Sequence, residues 1–292
     1  MKILQVDGDG ILYRAGFAGE DRYYEVVIDG EEEFGVIHRE RYKKELDPWI
    51  KEHEPTYGKL VTRLVREPPP KWMCLKNIEA QLDVLSEELR TGYLRIHLSG
   101  DANFRHQVCP TYKGNRKPED KPYHYDAMRE FMFHKYPVVI EDNLEADDTM
   151  AIEHMLVYTK QPDSSVIVTQ DKDLNMIPGL HYDFVKQKLF TVTEADGFKW
   201  FYTQLLTGDT IDNIPGLPGC GPKTAERIIG SCTSIEDMQH AVAREYIKRK
   251  YDYNYLQEQA TLLYILKHKN DYFEFPPEVF DEEQYGEEET CD

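Results

Sequence analysis

The sequence predicts an α/β fold with a mostly parallel sheet, followed by a helical segment. Three observations predict it. Short apolar runs alternate with amphipathic stretches up to about residue 189. Those runs repeatedly end in carboxylates. From about residue 190 the pattern turns helical around a Gly/Pro-rich knot at 213–223. Strands alternating with helices make parallel sheets covered by helices.

The elements follow in order. Residues 3–6 read as a strand running into Asp7-Gly8-Asp9-Gly10, and 11–17 as a helix. Residues 23–37 read as a hairpin turning at Asp29-Gly30, and 41–54 as a charged helix. Residues 76–90 place Ile78, Leu82, Leu85 and Leu89 on one helical face, ended by Gly92. Strands are predicted at 93–98, 137–140 and 165–169, with a helix at 146–158. The domains expected are an α/β unit over 1–189 carrying an insert at about 18–75, a helical unit over 190–270, and a disordered acidic tail over 271–292.

Composition sets bounds. With 292 residues and 40% hydrophobic content, the chain can bury a sizeable core. No apolar run reaches the ~18 residues of a membrane span. No secretory signal is visible, and five cysteines without a CxxC pair read as reduced thiols rather than a disulfide frame or zinc site. A cytoplasmic protein without membrane contact is expected. The net charge of −19 argues, at face value, against a phosphate-rich partner.

The location of the acids changes that inference. Sites in open α/β sheets form beyond the carboxyl ends of strands. Nine acids sit at such ends or at a later helix end: Asp7, Asp101, Glu145, Asp147, Asp148, Asp171, Asp173, Asp209 and Asp212. So much like charge in one crevice is tolerable when divalent cations neutralise it. Oxygen-only ligands select Mg²⁺ or Mn²⁺. Two such ions, roughly 4 Å apart, suit phosphodiester hydrolysis.

Two further segments point to nucleic acid. Between Phe104 and Lys117 stand Arg105, Lys113, Arg116 and Lys117, with Tyr112 among them and no acid. Such cations near metals can stabilise a phosphate, and an aromatic can stack a base. Residues 213–229 place Gly216, Gly219 and Gly221 before Lys223 and Thr224, where a helix starts. Backbone N–H groups at that helix start bind phosphate, which is the arrangement of a helix-hairpin-helix.

These segments resemble the 5′-nuclease family of 5′→3′ exonucleases and flap endonucleases, as in the N-terminal part of bacterial DNA polymerase I and freestanding phage exonucleases. The resemblance lies in Val6-Asp-Gly-Asp-Gly-Ile-Leu-Tyr-Arg-Ala15, Phe104-Arg-His106, Tyr112-Lys-Gly-Asn-Arg116, Leu144-Glu-Ala-Asp-Asp148, Thr169-Gln-Asp-Lys-Asp173 and the run from Gly208 to Ala225. It implies a PIN-like, Rossmann-like sheet with a helical arch and a C-terminal helix-hairpin-helix. It implies that all nine acids bind two metal ions, with Asp7, Asp147 and Asp148 central to catalysis. It implies that Lys113 and Arg116 contact the scissile phosphate, that Tyr112 stacks a terminal base, and that Arg105 supports the site. Gly219, Gly221, Lys223 and Thr224 would hold duplex, with a K⁺ ion bridging backbone and phosphate. The implied substrates are DNA 5′ ends, flaps and duplexes with a single-stranded 5′ segment, with RNA primers and a DNA polymerase as further partners of a monomer serving phage or bacterial replication.

The chain departs from the polymerase relatives in two places. Asp7 and Asp101 are separated by an insert at 18–75 that carries nine Lys/Arg and six Asp/Glu between Arg39 and Lys71. Asp9 stands where a small polar residue is commoner. Two rival readings are a haloacid-dehalogenase-type phosphatase, suggested by Asp7-Gly8-Asp9-Gly10, and a non-catalytic DNA-binding protein. Against the second, a pure binder gains nothing from acids near phosphates. The tail at 271–292 holds ten acids and the site nine; the other 35 acids match the 35 Lys and Arg. The net charge thus locates a metal site and a tail rather than excluding nucleic acid.

Overall fold

The computed structural model describes residues 2–30, 35–117, 121–281 and 285. The strands are β1 (Ile3–Asp7), β2 (Asp21–Ile28), β3 (His38–Glu40), β4 (Leu60–Glu67), β5 (Leu94–His97), β6 (Val138–Val139), β7 (Ser165–Val168), β8 (Gly179–Asp183) and β9 (Lys188–Val192). The helices are α1 (Gly8–Phe17), α2 (Lys43–Tyr57), α3 (Lys71–Glu88), α4 (Arg105–Val108), α5 (Tyr125–Lys135), α6 (Ala146–Tyr158), α7 (Glu194–Thr207), α8 (Pro222–Gly230), α9 (Ile235–Lys248) and α10 (Tyr253–Leu263). The chain forms two compact units: residues 1–10, 83–117 and 133–292, and residues 11–82 with 118–132.

The first unit carries a six-stranded sheet in the order β6-β5-β1-β7-β8-β9. All pairs are parallel except the β8–β9 hairpin. The central strands read as continuous apolar runs because both faces are covered: Leu4, Val6, Ile96, Val166 and Val168 are fully buried. Helix α6 packs on β1, β5 and β7. It begins with a capping box in which Glu145 and Asp148 exchange hydrogen bonds with the helix start. Its span coincides with the helix predicted from sequence.

The helical segment after β9 is not a separate domain. Its residues Phe201, Leu205, Val242, Tyr246 and Leu263 share one buried cluster with Met150, Ile167 and Leu174 of the sheet layer. Nor is 271–292 a free tail throughout. Phe275 is fully buried, and its N–H donates to Gln257 Oε1 at 2.7 Å. Tyr253 donates to the Phe275 carbonyl at 2.6 Å, and the Tyr285 hydroxyl meets His240 Nδ1 at 2.6 Å. Aromatics interleaved with the acids anchor the segment; the remainder of the expected tail lies outside the described residues.

The second unit contains the insert. It is a three-stranded antiparallel sheet in the order β3-β2-β4, with α2 on one face. The predicted hairpin is present, but its second strand is His38–Glu40, and β2 pairs over its full length with β4. On the face with α2, Val26, Leu46 and Leu60 are buried. On the other face, Glu25 is clamped by Arg39 at 2.9 Å and Arg63 at 2.6 Å. Glu20 accepts from Arg22 at 2.8 Å and Arg66 at 2.7 Å. Lys113 and Arg116, expected at the base of a helical arch, lie in a run of turns after the single-turn α4; α5 follows, and 118–120 lie outside the described residues. Among the described residues, no helix is long and apolar enough to cross a membrane.

Candidate active site

The site lies at the carboxyl edge of the first unit's parallel strands. β1 delivers Asp7 beside His97 of β5, and it is only 7% exposed. The Gly10 N–H donates to Asp7 Oδ1 at 2.7 Å, and the Thr169 hydroxyl donates to Oδ2 at 2.9 Å. Gly10 suits this approach, since a Cβ there would stand 2.5 Å from Asp7 Oδ2. Asp9 accepts the Ser99 N–H at 3.0 Å, which ties the start of α1 to the segment after β5. The loop after β7 brings Asp171, which accepts the Asp173 N–H at 2.9 Å. Asp173 accepts from Gln204 of α7 at 2.6 Å. α6 supplies Asp147.

The electrostatics show that these acids feel one another. Burial, with the charges of Asp9 and Asp171, pushes Asp7 up to about 7. Burial, then Asp171, Asp7 and Glu145, raises Asp147 well above the ordinary carboxylate range. Burial, then Asp171 and Asp209, pushes Asp173 up to about 7. Burial raises Asp209 as well; it sits in a tight loop whose backbone pairs it with Ile214 at 2.8 and 2.7 Å. Asp101 is exposed in the bend after β5.

The cationic turn closes on Glu145 and Asp212. Lys113 adopts a left-handed backbone with φ of 55°. Its N–H donates to the Asp212 carbonyl at 2.9 Å, and its ammonium pairs with Glu145 and stands 3.4 Å from Asp212. Arg116 reaches Asp212 at 2.5 Å. Asn115 donates to the Thr210 carbonyl at 2.9 Å and Asn213 to the Thr111 carbonyl at 2.8 Å, so residues 111–116 and 209–214 are latched together. Burial opposes charge on both Glu145 and Lys113. Their mutual attraction prevails, holding Glu145 below its usual range and Lys113 above its own.

Three of the expected site residues, Tyr112, Arg105 and Asp148, are buried. Tyr112 is only 2% exposed, with its hydroxyl donating to Glu145 at 3.0 Å and Asp212 at 3.1 Å, so its ring is not presented to a base. Arg105 is 2% exposed and makes a bidentate pair with Asp148 at 2.7 and 2.9 Å. It also donates to the carbonyls of Leu262 at 2.9 Å and Tyr264 at 2.6 Å, so it braces α6 against α10 rather than touching substrate. Asp148 is fully buried and also accepts the N–H groups of Leu266 at 3.1 Å and Glu145 at 3.2 Å. Both of its oxygens are engaged in that brace. The pair is 43 residues apart in sequence, and spacing alone gave no sign of it.

Sequence reading also missed Thr169 as a partner of Asp7 and Gln204 as a partner of Asp173. Thr169 stood inside a matching segment; nothing singled out Gln204. A buried His97 was missed as well. It contacts Gln5 at 2.8 Å and Thr149 at 3.0 Å, and burial drives it down to about 4, so it is neutral. It holds β1, β5 and α6 together directly beneath the acids.

α7 and α8, joined by a glycine-rich loop, stand where the helix-hairpin-helix is expected. α7 ends at Gly208 with φ of 67°, and Gly216 has φ of 62°. A Cβ on Gly216 would stand 2.2 Å from the Gly208 nitrogen, so the two glycines permit a close backbone crossing. The buried Gln259 accepts the Gly216 N–H at 3.0 Å. Gly219, Gly221 and Lys223 are exposed and Thr224 half-buried, with Gly221 capping α8 and Pro222 opening it.

The donor set is carboxylate oxygen, which fits hard divalent cations. Burial and then neighbouring acids disfavour charge on Asp7, Asp147 and Asp173, a charge that such an ion would neutralise. Among the described residues, no three His, Cys, Asp or Glu side chains already converge as a coordination shell.

Comparison with known proteins agrees with this geometry. Residues 72–199 match the 5′-3′ exonuclease N-terminal resolvase-like domain. The chain is 30% identical to DNA polymerase I of Rhizobium leguminosarum over 165 residues, 50% of this chain and 16% of that protein. It is 26% identical to a flap endonuclease of Vibrio campbellii over 185 residues, 58% of this chain and 68% of that one. Thus it spans less than a fifth of the polymerase relatives it matches. In fold it is similar to the zinc-bound 5′-exonuclease of bacteriophage T5, with a TM-score of 0.55, 15% identity, and coverage of 90% of this chain and 89% of that one. Its carboxylate edge and these matches support a 5′-nuclease family for the chain.

Proposed function

We propose that the protein is a divalent-metal-dependent 5′-nuclease that hydrolyses phosphodiesters at DNA 5′ ends or flaps in replication. The observation that carries this reading is the crowd of acids around Asp171, in which Asp7, Asp147 and Asp173 are each raised by burial and then by neighbouring acids, beside the cations Lys113 and Arg116. Mg²⁺ or Mn²⁺ held by Asp7, Glu145 and Asp147, and by Asp171, Asp173 and Asp209, would supply Lewis acidity for the attacking water and the leaving oxygen. Asp101 and Asp212 complete the acids that face this chemistry. Asp148 enters it as the anchor of Arg105.

Lys113 and Arg116 exchange a carboxylate partner for the scissile phosphate and stabilise its developing charge. The latch between residues 111–116 and 209–214 fixes their backbone while the side chains re-pair. The N–H groups of Gly219, Gly221 and Lys223, with the Lys223 ammonium, hold duplex backbone without reading sequence. A K⁺ ion at this hairpin belongs to the same reading, as do RNA primers as substrates, a polymerase partner, and a cytoplasmic monomer. A phosphatase acting through a phospho-aspartate at Asp7 gives residues 208–225 no task.

The test is release of nucleotides from a 5′-labelled flap duplex with Mg²⁺ or Mn²⁺. Asp147→Asn and Lys113→Ala should each slow cleavage by roughly 10²–10³-fold. Full activity in Asp147→Asn, or no cleavage by the wild type, would overturn the assignment.

A further inference from the structure

We infer that a second nucleic-acid site continues from the carboxylate edge along β9: a groove that takes the unpaired single strand adjoining the site. The inference rests on the nuclease reading above and extends it to a surface that reading leaves unused.

The sheet dictates the position. β8 runs parallel to β7 and ends at Asp183, and β9 returns antiparallel from Lys188. The turn between them therefore lies at the same edge as Asp171. Two cavities of about 300 and 380 Å³ follow from there and meet at Asn175 and Phe190. The first starts at Asp171 and reaches Lys188; the second lies between β9 and α7 and reaches Lys199 and Trp200. β9 is the last strand of the sheet, so one side of its backbone has no strand partner among the described residues.

The chemistry of the groove fits a nucleotide chain. Lys172, Lys188 and Lys199 are exposed along it. Its acids beyond Asp171 are engaged locally: Asp183 pairs with Lys186 at 2.6 Å, and Asp196 accepts the Thr193 hydroxyl at 2.6 Å while capping α7. Phe190 has one face against His181, with ring centroids 5.4 Å apart, and forms the divide between the cavities. Cations alternating with aromatic rings beside an unpaired backbone edge are what phosphates and bases require together. The open edge alone would equally suit an extended peptide; the lysines and the continuity with Asp171 favour the nucleic acid.

Two measurements test this on the full chain. Steady-state cleavage is compared for Lys188→Glu/Lys199→Glu on a duplex with a 5′ flap of about eight nucleotides and on a flapless duplex. The expected result is a KM for the flap raised about tenfold, with kcat kept and the flapless substrate within about twofold. Equal effects on both substrates, or none, would overturn the groove. Separately, Trp200 emission is followed in a Trp49→Phe/Trp72→Phe background while oligothymidylate is added. Quenching that the charge-reversal pair weakens supports the groove. No quenching, or quenching only by a β-forming peptide, overturns it. A wild type that cleaves neither substrate defeats the nuclease reading, while the emission titration still decides the groove.

Discussion

Two sets of buried acids in this chain live under opposite rules. In the insert, burial opposes the charge of Glu20 and Glu25, but each is clamped by two arginines and is held below the usual carboxylate range. At the sheet edge, burial first and neighbouring acids second push Asp7, Asp147 and Asp173 up. Both sets are costly to bury in isolation. The insert has met that cost within the chain, whereas the edge leaves it to a ligand. The comparison separates acids that build the structure from acids that wait for a cation, and it distinguishes residues that look alike in sequence. Asp147 and Asp148 are adjacent, yet Asp147 meets other acids while Asp148, like the insert acids, is paired with an arginine.

The comparison is broken most directly at Asp148. Asp148→Ala would leave the buried Arg105 guanidinium with only its longer ion pair to Glu145 at 3.5 Å. Urea denaturation should show a loss of about 3–5 kcal/mol, with or without divalent metal. A metal-dependent loss would return Asp148 to the ligand set. A smaller effect is expected at Glu20, where Glu20→Gln removes the charge from two hydrogen bonds. The same measurement should give a loss of about 2 kcal/mol that Mn²⁺ does not alter.

Much of this was legible in the sequence, for a physical reason. Acids at strand ends, α6 and the glycine-rich hairpin are local patterns, and local patterns fix where a side chain emerges from its element. The α6 bounds and the Gly208–Gly216 turn follow from capping and φ preferences alone. What was hidden depends on contacts between distant segments. The Arg105–Asp148 pair joins residues that spacing does not relate, and Tyr112 is buried because the 111–116 turn folds onto 209–214. The β8–β9 hairpin turns through Gln187 with φ of 51°, without a glycine to announce it. The aromatic anchors Phe275 and Tyr285 were masked by the acids around them.

The central claim is that the edge acids repel one another until a divalent cation neutralises them, and Asp173→Asn tests it at one position. Asparagine keeps an oxygen for Gln204 and removes the charge. Because the folded Asp173 titrates near 7 rather than 3.8, its ionisation costs folding stability above about pH 7, and the cost disappears as pH falls and the proton is taken up. Denaturation of wild type and variant is measured from pH 8 to pH 5, with a chelator and with Mn²⁺. The expected result with chelator is a variant more stable by about 1–2 kcal/mol at pH 8, a gain that fades as pH falls through 7, and a wild type that becomes the more stable of the two when Mn²⁺ is present. A variant less stable than wild type at pH 8 with chelator would show that Asp173 is a structural acid like Glu20, and would contradict the account.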